Sequence, residues 1–210
     1  MSSSSKRSSK SSPKSSSKHT LRKAAPRTRN ALRKGTLLQR LERVRLLSLD
    51  VDGVLTDGSV TYVGTDPIAE QQTFFVQDGI AFAWLREAGV RIVWITGRGS
   101  SVTEHRAREL GVDALVMRTA DKRAELERLQ KRWRIAPEAT IAMGDDLPDL
   151  ALIERCAVFA APSDAVPEVR AAADLVTRAG GGRGAVRELA VLVLDAKGLW
   201  RARVDAALRR

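Results

Sequence analysis

Residues 46–58, LLSLDVDGVLTDG, are an apolar run ending in two acids one residue apart, with glycine immediately after the second. Alternate side chains of a straight strand point to the same side, so Asp50 and Asp52 could face one site. A buried parallel strand releases its last residues at the carboxyl edge of the sheet, where α/β folds bind ligands. Gly53 lets the chain turn sharply and brings backbone N–H groups close to an anion. The combination is a signature of chemistry on phosphate; for this segment alone, an ordinary strand ending in a polar turn is the competing reading.

Three later segments supply the other groups that phosphoryl transfer needs. Thr96, in IVWITGRG, sets a hydroxyl and the N–H groups of a Gly-containing turn at a strand end. Lys122 opens a helix after VMRTAD and would place a cation beside the positive end of that helix, with a solvated helix lysine as the alternative. GDDLPDL then puts Asp145, Asp146 and Asp149 behind another apolar run. So many acids would repel one another unless a cation sat among them. Hard divalent cations prefer oxygen, and Mg²⁺ typically takes one or two carboxylates plus phosphate and water. Asp145 is the best ligand there; Asp146 is open as a ligand or a supporting residue, and Asp149 is suited to cap and orient the loop.

Composition excludes other chemistries. The chain has two histidines, of which His19 lies in a polar N-terminal segment and His105 beyond it, and one cysteine, Cys156 in LALIERCAVF. A Cys/His zinc site, a disulfide framework and a Cys–His nucleophile pair are thinly supported, Cys156 reads as a small buried hydrophobe, and a reducing cytoplasm fits. The net charge of +11 is local: residues 1–34 hold eleven of the 36 basic residues and no acid, leaving 25 basic and 25 acidic residues for the rest. That Ser/Lys/Arg-rich segment lacks the apolar content to offset its ordering entropy, so residues 1–43 read as a disordered tail. Its wealth of Ser and Arg loosely resembles an organelle transit peptide. Its functional alternative is weak, salt-sensitive contact with nucleic acid or another polyanion. No secretion signal or membrane span is legible.

The groups above must be held by something rigid, and residues 44–210 alternate strand and helix signals as one domain. Short apolar runs VRLLSLD, VRIVWITG, VDALVM, ATIAMGDD, AVFAA and DLVTR suit strands covered on both faces. Helical stretches lie between them at 80–88, 101–110, 121–133, 147–155, 167–172 and 185–194, with Ser101 and Glu104 forming a capping box. The pattern predicts an α/β fold, a doubly wound parallel sheet. Residues 59–77 depart from it and read as an inserted β-hairpin. The tryptophans read as core or interface packing, since nothing arranges them as a stacking platform.

The order DxDG, Thr-Gly-Arg, Lys and GDDxxD, each at a strand end, resembles the haloacid dehalogenase superfamily. Over about residues 44–195 the resemblance extends to the uncapped 3-deoxy-D-manno-octulosonate 8-phosphate phosphatases. It is carried by DVDGVLTDG (50–58), FFVQDG (74–79), ITGR (95–98), EHRARELG (104–111), DDLPD (145–149) and VTRAGGGRGAVREL (176–189). The resemblance implies a Rossmann-like core without a cap domain, and a Mg²⁺-dependent phosphatase acting in lipopolysaccharide precursor synthesis. It implies Asp50 as the nucleophile that forms an aspartyl phosphate and Asp52 as general acid, then base. Asp50, the backbone carbonyl of Asp52 and Asp145 would hold the metal; Thr96 and Lys122 would hold the phosphoryl group. Asp78, Gly79, Gly97, Arg98 and Arg106 match substrate-contact positions, and Arg183, in the Gly-rich segment, would reach a neighbouring site. The hairpin would help build a homotetramer.

The chain departs from the family where substrate is chosen. Relatives often carry basic residues at the positions of Gln72, Gln77 and Ala83, and a carboxylated sugar needs cationic partners, which Arg98, Arg106 and Arg183 could supply. GGGRG (180–184) reads either as a flexible turn or as an arm entering an adjacent site. The leading function is hydrolysis of an acidic sugar phosphate, first the octulosonate 8-phosphate. A nonulosonate 9-phosphate phosphatase on the same scaffold is the second enzyme reading. A catalytically idle scaffold tethered to polyanions is the alternative from another class.

Overall fold

The computed structural model describes Met1 and residues 32–209. Six parallel strands form one sheet: β1 (Leu46–Leu49), β4 (Arg91–Ile95), β5 (Ala114–Val116), β6 (Thr140–Met143), β7 (Val158–Ala161) and β8 (Leu175–Val176), in the order β5-β4-β1-β6-β7-β8. All six are runs expected as strands. β2 (Thr61–Val63) and β3 (Ala69–Gln71) pair antiparallel as a separate hairpin inside the 59–77 segment.

The helices are α1 (Leu37–Glu42), α2 (Val76–Glu87), α3 (Ser101–Leu110), α4 (Lys122–Trp133), α5 (Pro167–Ala172), α6 (Ala185–Ala196) and α7 (Trp200–Leu208), with a 3₁₀ stretch at Leu147–Arg155. Strand alternation divides their packing. Leu47, Leu49, Ile92, Trp94, Ile141 and Met143 face α2 and α6, which contribute Phe82, Leu85, Val186 and Leu189. Leu46, Val93, Ile95, Ala142 and Phe159 face Leu126 and Leu129 of α4, together with Leu152 and Val169. Burying both faces explains why the inner strands are mostly apolar rather than alternating, with Ser48 and Thr140 as buried polar members. No helix among the described residues is long and apolar enough to cross a membrane.

Three boundaries differ from the sequence reading. α2 begins at Val76 rather than residue 80, so Asp78 and Gly79 are helical and buried. The cap of α3 is Ser100, whose Oγ accepts the Thr103 N–H, and not a Ser101–Glu104 box. The tail expected over 1–43 is docked at its far end: Leu32 and Leu41 are buried, and the Arg40 guanidinium donates to the Ala157 carbonyl and to Asp174. Arg33 pairs with the same Asp174 at 2.6 Å. Composition hides this because those partners lie 117 and 134 positions from Arg40. Residues 2–31 of the tail expectation lie outside the described residues.

Burying two leucines stabilises by roughly 3 kcal/mol. A chain starting at Leu32 is therefore expected to keep the thermal midpoint of the full chain. One starting at Val44 should melt about 6–12 °C lower, at 2–4 °C per kcal/mol for a domain of this size. Equal midpoints by scanning calorimetry would refute the docking of 32–43.

Candidate active site

The carboxyl ends of β1, β4 and β6 open onto a cleft of about 660 Å³ lined by Asp50, Asp52, Thr96, Arg98, Lys122 and Asp145, with Gly97 at its wall. Asp50 leaves β1 still bonded to the sheet, its N–H donating to the Met143 carbonyl at 3.1 Å. Gly53 turns the chain at φ +86°, and a Cβ there would lie 2.0 Å from Asp145 Oδ2. Only glycine thus allows the β1 and β6 loops to approach so closely.

Lys122 is the electrostatic centre of the cleft. Its Nζ lies 2.9 Å from Asp50 Oδ1 and donates to Asp149 Oδ1 at 2.7 Å. Asp149 is 1% exposed, and its other oxygen, Oδ2, accepts the N–H groups of Asp145 and Asp146 at 3.1 and 3.3 Å. One buried carboxylate therefore fixes both the lysine and the loop carrying Asp145. Burial opposes the Lys122 charge, but the Asp50 and Asp149 carboxylates outweigh it and hold its pKa above the ordinary lysine value.

Burial, then the neighbouring Asp149 charge, pushes Asp50 upward against the pull of Lys122. Burial and the charges of Asp50 and Asp149 push Asp145 upward as well. Oxygens from Asp50, Asp145 and Asp149 lie within 4.8 Å of one another, and Asp145 Oδ1 is buried without a hydrogen-bond donor. A cluster this acidic with an unpartnered oxygen fits a hard divalent cation. Both Asp149 oxygens are already engaged, which leaves Asp50 and Asp145 as the carboxylates available to it. Asp146 is exposed and caps the 3₁₀ stretch, accepting the Leu147 N–H at 2.7 Å.

Asp52 sits at the other wall. Thr96 Oγ1 donates to its Oδ2 at 3.4 Å and accepts the Arg98 N–H at 3.0 Å. Arg98 Nε is 3.6 Å from Asp52 Oδ1, while its Nη2 pairs with Glu70 of the hairpin at 3.3 Å. Gln72, the first residue after β3, donates to Asp52 Oδ1 at 2.6 Å. Sequence had singled out Gln72 only as a departure from a basic family position.

The family of haloacid dehalogenase-like hydrolases is matched by residues 115–186. The 3-deoxy-D-manno-octulosonate 8-phosphate phosphatase of Escherichia coli K12 is 38% identical over 162 residues, 77% of this chain and 85% of that protein. The chain belongs to this phosphatase family. The Haemophilus influenzae member is 32% identical over 160 residues, 76% of this chain and 88% of that protein. The Moraxella catarrhalis member, solved with magnesium ion, phosphate ion and KDO, superposes with a TM-score of 0.77 at 33% identity, covering 80% of this chain and 96% of that one. The fold is accordingly the Rossmann-like haloacid dehalogenase core that the sequence motifs implied.

Within that family frame, Asp50, Asp52, Thr96, Gly97, Arg98, Lys122 and Asp145 converge on one cleft, whereas four other expected positions lie elsewhere in this chain. Asp78 is 2% exposed, and its Oδ1 accepts the Arg187 N–H at 2.7 Å near the start of α6; burial raises its pKa to about 6. It supports a helix rather than lining the cleft. Gly79 packs where a Cβ would meet Arg106 Nη2 at 2.9 Å, and Arg106 is occupied with Glu109 and the Phe74 ring. Arg183 points outward, 3.8 Å from Asp57, beside a second hollow with Phe75, Gln77 and Arg187. The segment 180–184 is a turn packed against the loop after β1. Gly182 N–H donates to the Val54 carbonyl at 3.0 Å, and a Cβ at Gly181 would meet the Gly53 carbonyl oxygen at 2.0 Å.

Proposed function

We propose that this chain hydrolyses the phosphate monoester of an acidic sugar, 3-deoxy-D-manno-octulosonate 8-phosphate, to the free sugar acid and phosphate in lipopolysaccharide precursor synthesis. The observation that carries this reading is the buried Asp50–Lys122–Asp149 group facing Asp52 and Asp145 across one cleft, in a chain of this family.

A carboxylate approaching a phosphate dianion meets repulsion of about 4 kcal/mol per charge pair at 4 Å with an effective dielectric of 20. Lys122 offsets part of it at Asp50 itself. Asp50, the backbone carbonyl of Asp52 and Asp145 would hold Mg²⁺, which when bound supplies further positive charge to the phosphoryl oxygens. Thr96 and Lys122 orient the phosphoryl group, Asp50 attacks phosphorus to form an aspartyl phosphate, and Asp52 gives a proton to the departing sugar oxygen. Asp52 then takes a proton from the water that cleaves the acyl phosphate. Arg98, whose side chain is 47% exposed at the mouth of the cleft, is placed to meet the substrate's carboxylate.

The finer features of the reading are an assembly, a compartment and a tail. Tyr62, Val63 and Ile68 are 64%, 51% and 63% exposed on the isolated hairpin, which favours pairing with further copies in a homotetramer. In that assembly Arg183, which does not line its own cleft, reaches a neighbouring site, and Asp78 holds the start of the helix that follows it through the Arg187 N–H. The enzyme works in the cytoplasm, with residues 32–209 as the phosphatase unit, and the basic residues ahead of it give weak contact with polyanions.

The test is a panel of sugar phosphates assayed with Mg²⁺, including the nonulosonate 9-phosphate. The octulosonate 8-phosphate should give the highest kcat/KM. Arg183→Ala should raise KM about tenfold for the sugar acid and about twofold at most for an aryl phosphate, which lacks the second anion. Equal effects on both substrates, or an active and selective monomer in light scattering, would refute the shared site.

A further inference from the structure

Helix α6 opens without a side chain of its own to cap it. Its N-cap is Gly184 at φ +100°, where a Cβ would strain the backbone and meet the Phe75 ring at 3.3 Å. An N-cap side chain ordinarily accepts the N–H of the second or third helical residue. Here Asp78 does so from α2: its Oδ1 takes the N–H of Arg187, the third residue of α6, at 2.7 Å. The carboxylate also brings negative charge to the positive end of the helix. Burial disfavours that charge, which the N–H groups of Arg187 and Gly184 support. Oδ2 is buried with no hydrogen-bond partner among the described residues, so the helix end is what holds the carboxylate.

What α6 carries at this end is the turn that covers the nucleophile loop. The turn hangs from the helix on both sides, because Gly184 opens α6 and Glu188 in its first turn accepts the N–H groups of Arg178 and Ala179 at 3.0 and 3.1 Å. Between those points the Gly182 N–H donates to the Val54 carbonyl at 3.0 Å. Val54 belongs to a loop closed on Val51, whose carbonyl accepts the N–H groups of Leu55 and Thr56 at 2.9 and 3.1 Å. Val51 stands between Asp50 and Asp52. A shift of the α6 start thus reaches both aspartates through a short hydrogen-bonded chain. We propose that Asp78 is a positioning residue for the nucleophile loop: by fixing the start of α6 to α2, it keeps the Gly181–Gly182 turn seated on residues 53–56 and so places Asp50 and Asp52. This rests on those aspartates doing the chemistry read above. Asp164 holds the Gly181 N–H separately at 2.9 Å, so loss of Asp78 displaces the turn without releasing it.

The test uses the full-length chain with Mg²⁺ and its best substrate from the sugar phosphate panel. Asp78→Ala should lower kcat about tenfold with KM within about twofold, because a displaced nucleophile slows the chemical step and leaves the substrate contacts of the cleft in place. Asp78→Asn keeps one acceptor for the Arg187 N–H but not the charge, and should lose about threefold. Hydrogen exchange read by mass spectrometry should quicken over residues 51–57 and 180–187 in the same graded order. Gly182→Ala breaks the chain farther on, since its Cβ would lie 2.5 Å from the Thr56 carbonyl carbon. The Asp78→Ala/Gly182→Ala double variant should therefore match the slower of the two single variants. A rise in KM at constant kcat would make Asp78 a substrate contact and overturn the proposal. A lower thermal midpoint with the kcat of the folded enzyme unchanged would overturn it too, as would losses that multiply in the double variant. Should Asp78→Ala not fold, Asp78→Asn decides: unchanged kcat and exchange overturn the positioning role. Turnover by Asp50→Asn at the wild-type rate would instead strike the reading beneath, leaving Asp78 no catalytic loop to position.

Discussion

Asp50→Asn is expected to lower kcat by roughly 10⁴-fold or more while the protein folds normally, because an amide oxygen is no nucleophile toward phosphorus. The fold should tolerate the change for a definite reason. Asp50 is buried beside Asp149, and loss of one negative charge relieves that repulsion, while Lys122 keeps its 2.7 Å bond to Asp149. The thermal midpoint should therefore be unchanged or higher, and circular dichroism should match wild type. Brief incubation with labelled substrate and acid quenching should leave label on wild type and none on Asp50→Asn. Phosphate release from this variant at the wild-type rate would overturn the assignment of the nucleophile.

Exhaustive chelation with EDTA is expected to stop turnover, and added Mg²⁺ to restore it; Asp145→Ala should weaken Mg²⁺ binding about 100-fold. The pH dependence has a definite sign. Burial and mutual repulsion hold the Asp50 and Asp145 carboxyls above the ordinary carboxylate range, so both take up protons more readily than free aspartates. A cation needs them ionised. Binding must then release protons, and the affinity for Mg²⁺ rises with pH by up to about tenfold per unit for each proton released. Titration calorimetry in buffers of different ionisation enthalpy measures that release directly. Full activity after chelation, or affinity that falls as pH rises, would refute the metal site.

The parallel sheet was legible because burial on both faces leaves its mark on the inner strands: in runs such as IVWI and TIAM every residue is buried, while the edge strands β5 and β8 are only partly covered. The cleft was legible where a residue's position follows from a strand end or helix start. That covers Asp50, Thr96, Asp145 and Lys122, since topology brings such ends together. What escaped was whatever depends on a side chain's distant partner. Gln72 reaches Asp52 across 20 positions and Thr103 across 31, and nothing local to QQT marks that grip. Asp78 looked like a substrate contact by motif, yet the helix containing it starts four residues earlier than the pattern implied, which turns its carboxylate toward α6. Asp149 was read as a loop-orienting acid, and its hold on Lys122 adds a role that spacing alone does not reveal.

The packing of Gly181 and Gly182 against residues 53–57 bears on how the molecule becomes competent during synthesis. Asp50 and Asp52 leave the ribosome early, and β1 can be flanked by β4 and β6 well before translation ends. The backbone that covers their loop arrives about 130 residues later, and synthesis proceeds at about 5–20 residues per second. For several seconds the nascent chain thus exposes a carboxylate-rich loop that has its strand but not its cover. The contact that holds the nucleophile's loop comes from residues 181 and 182, so a fragment ending before them carries Asp50, Asp52, Thr96, Lys122 and Asp145 without it.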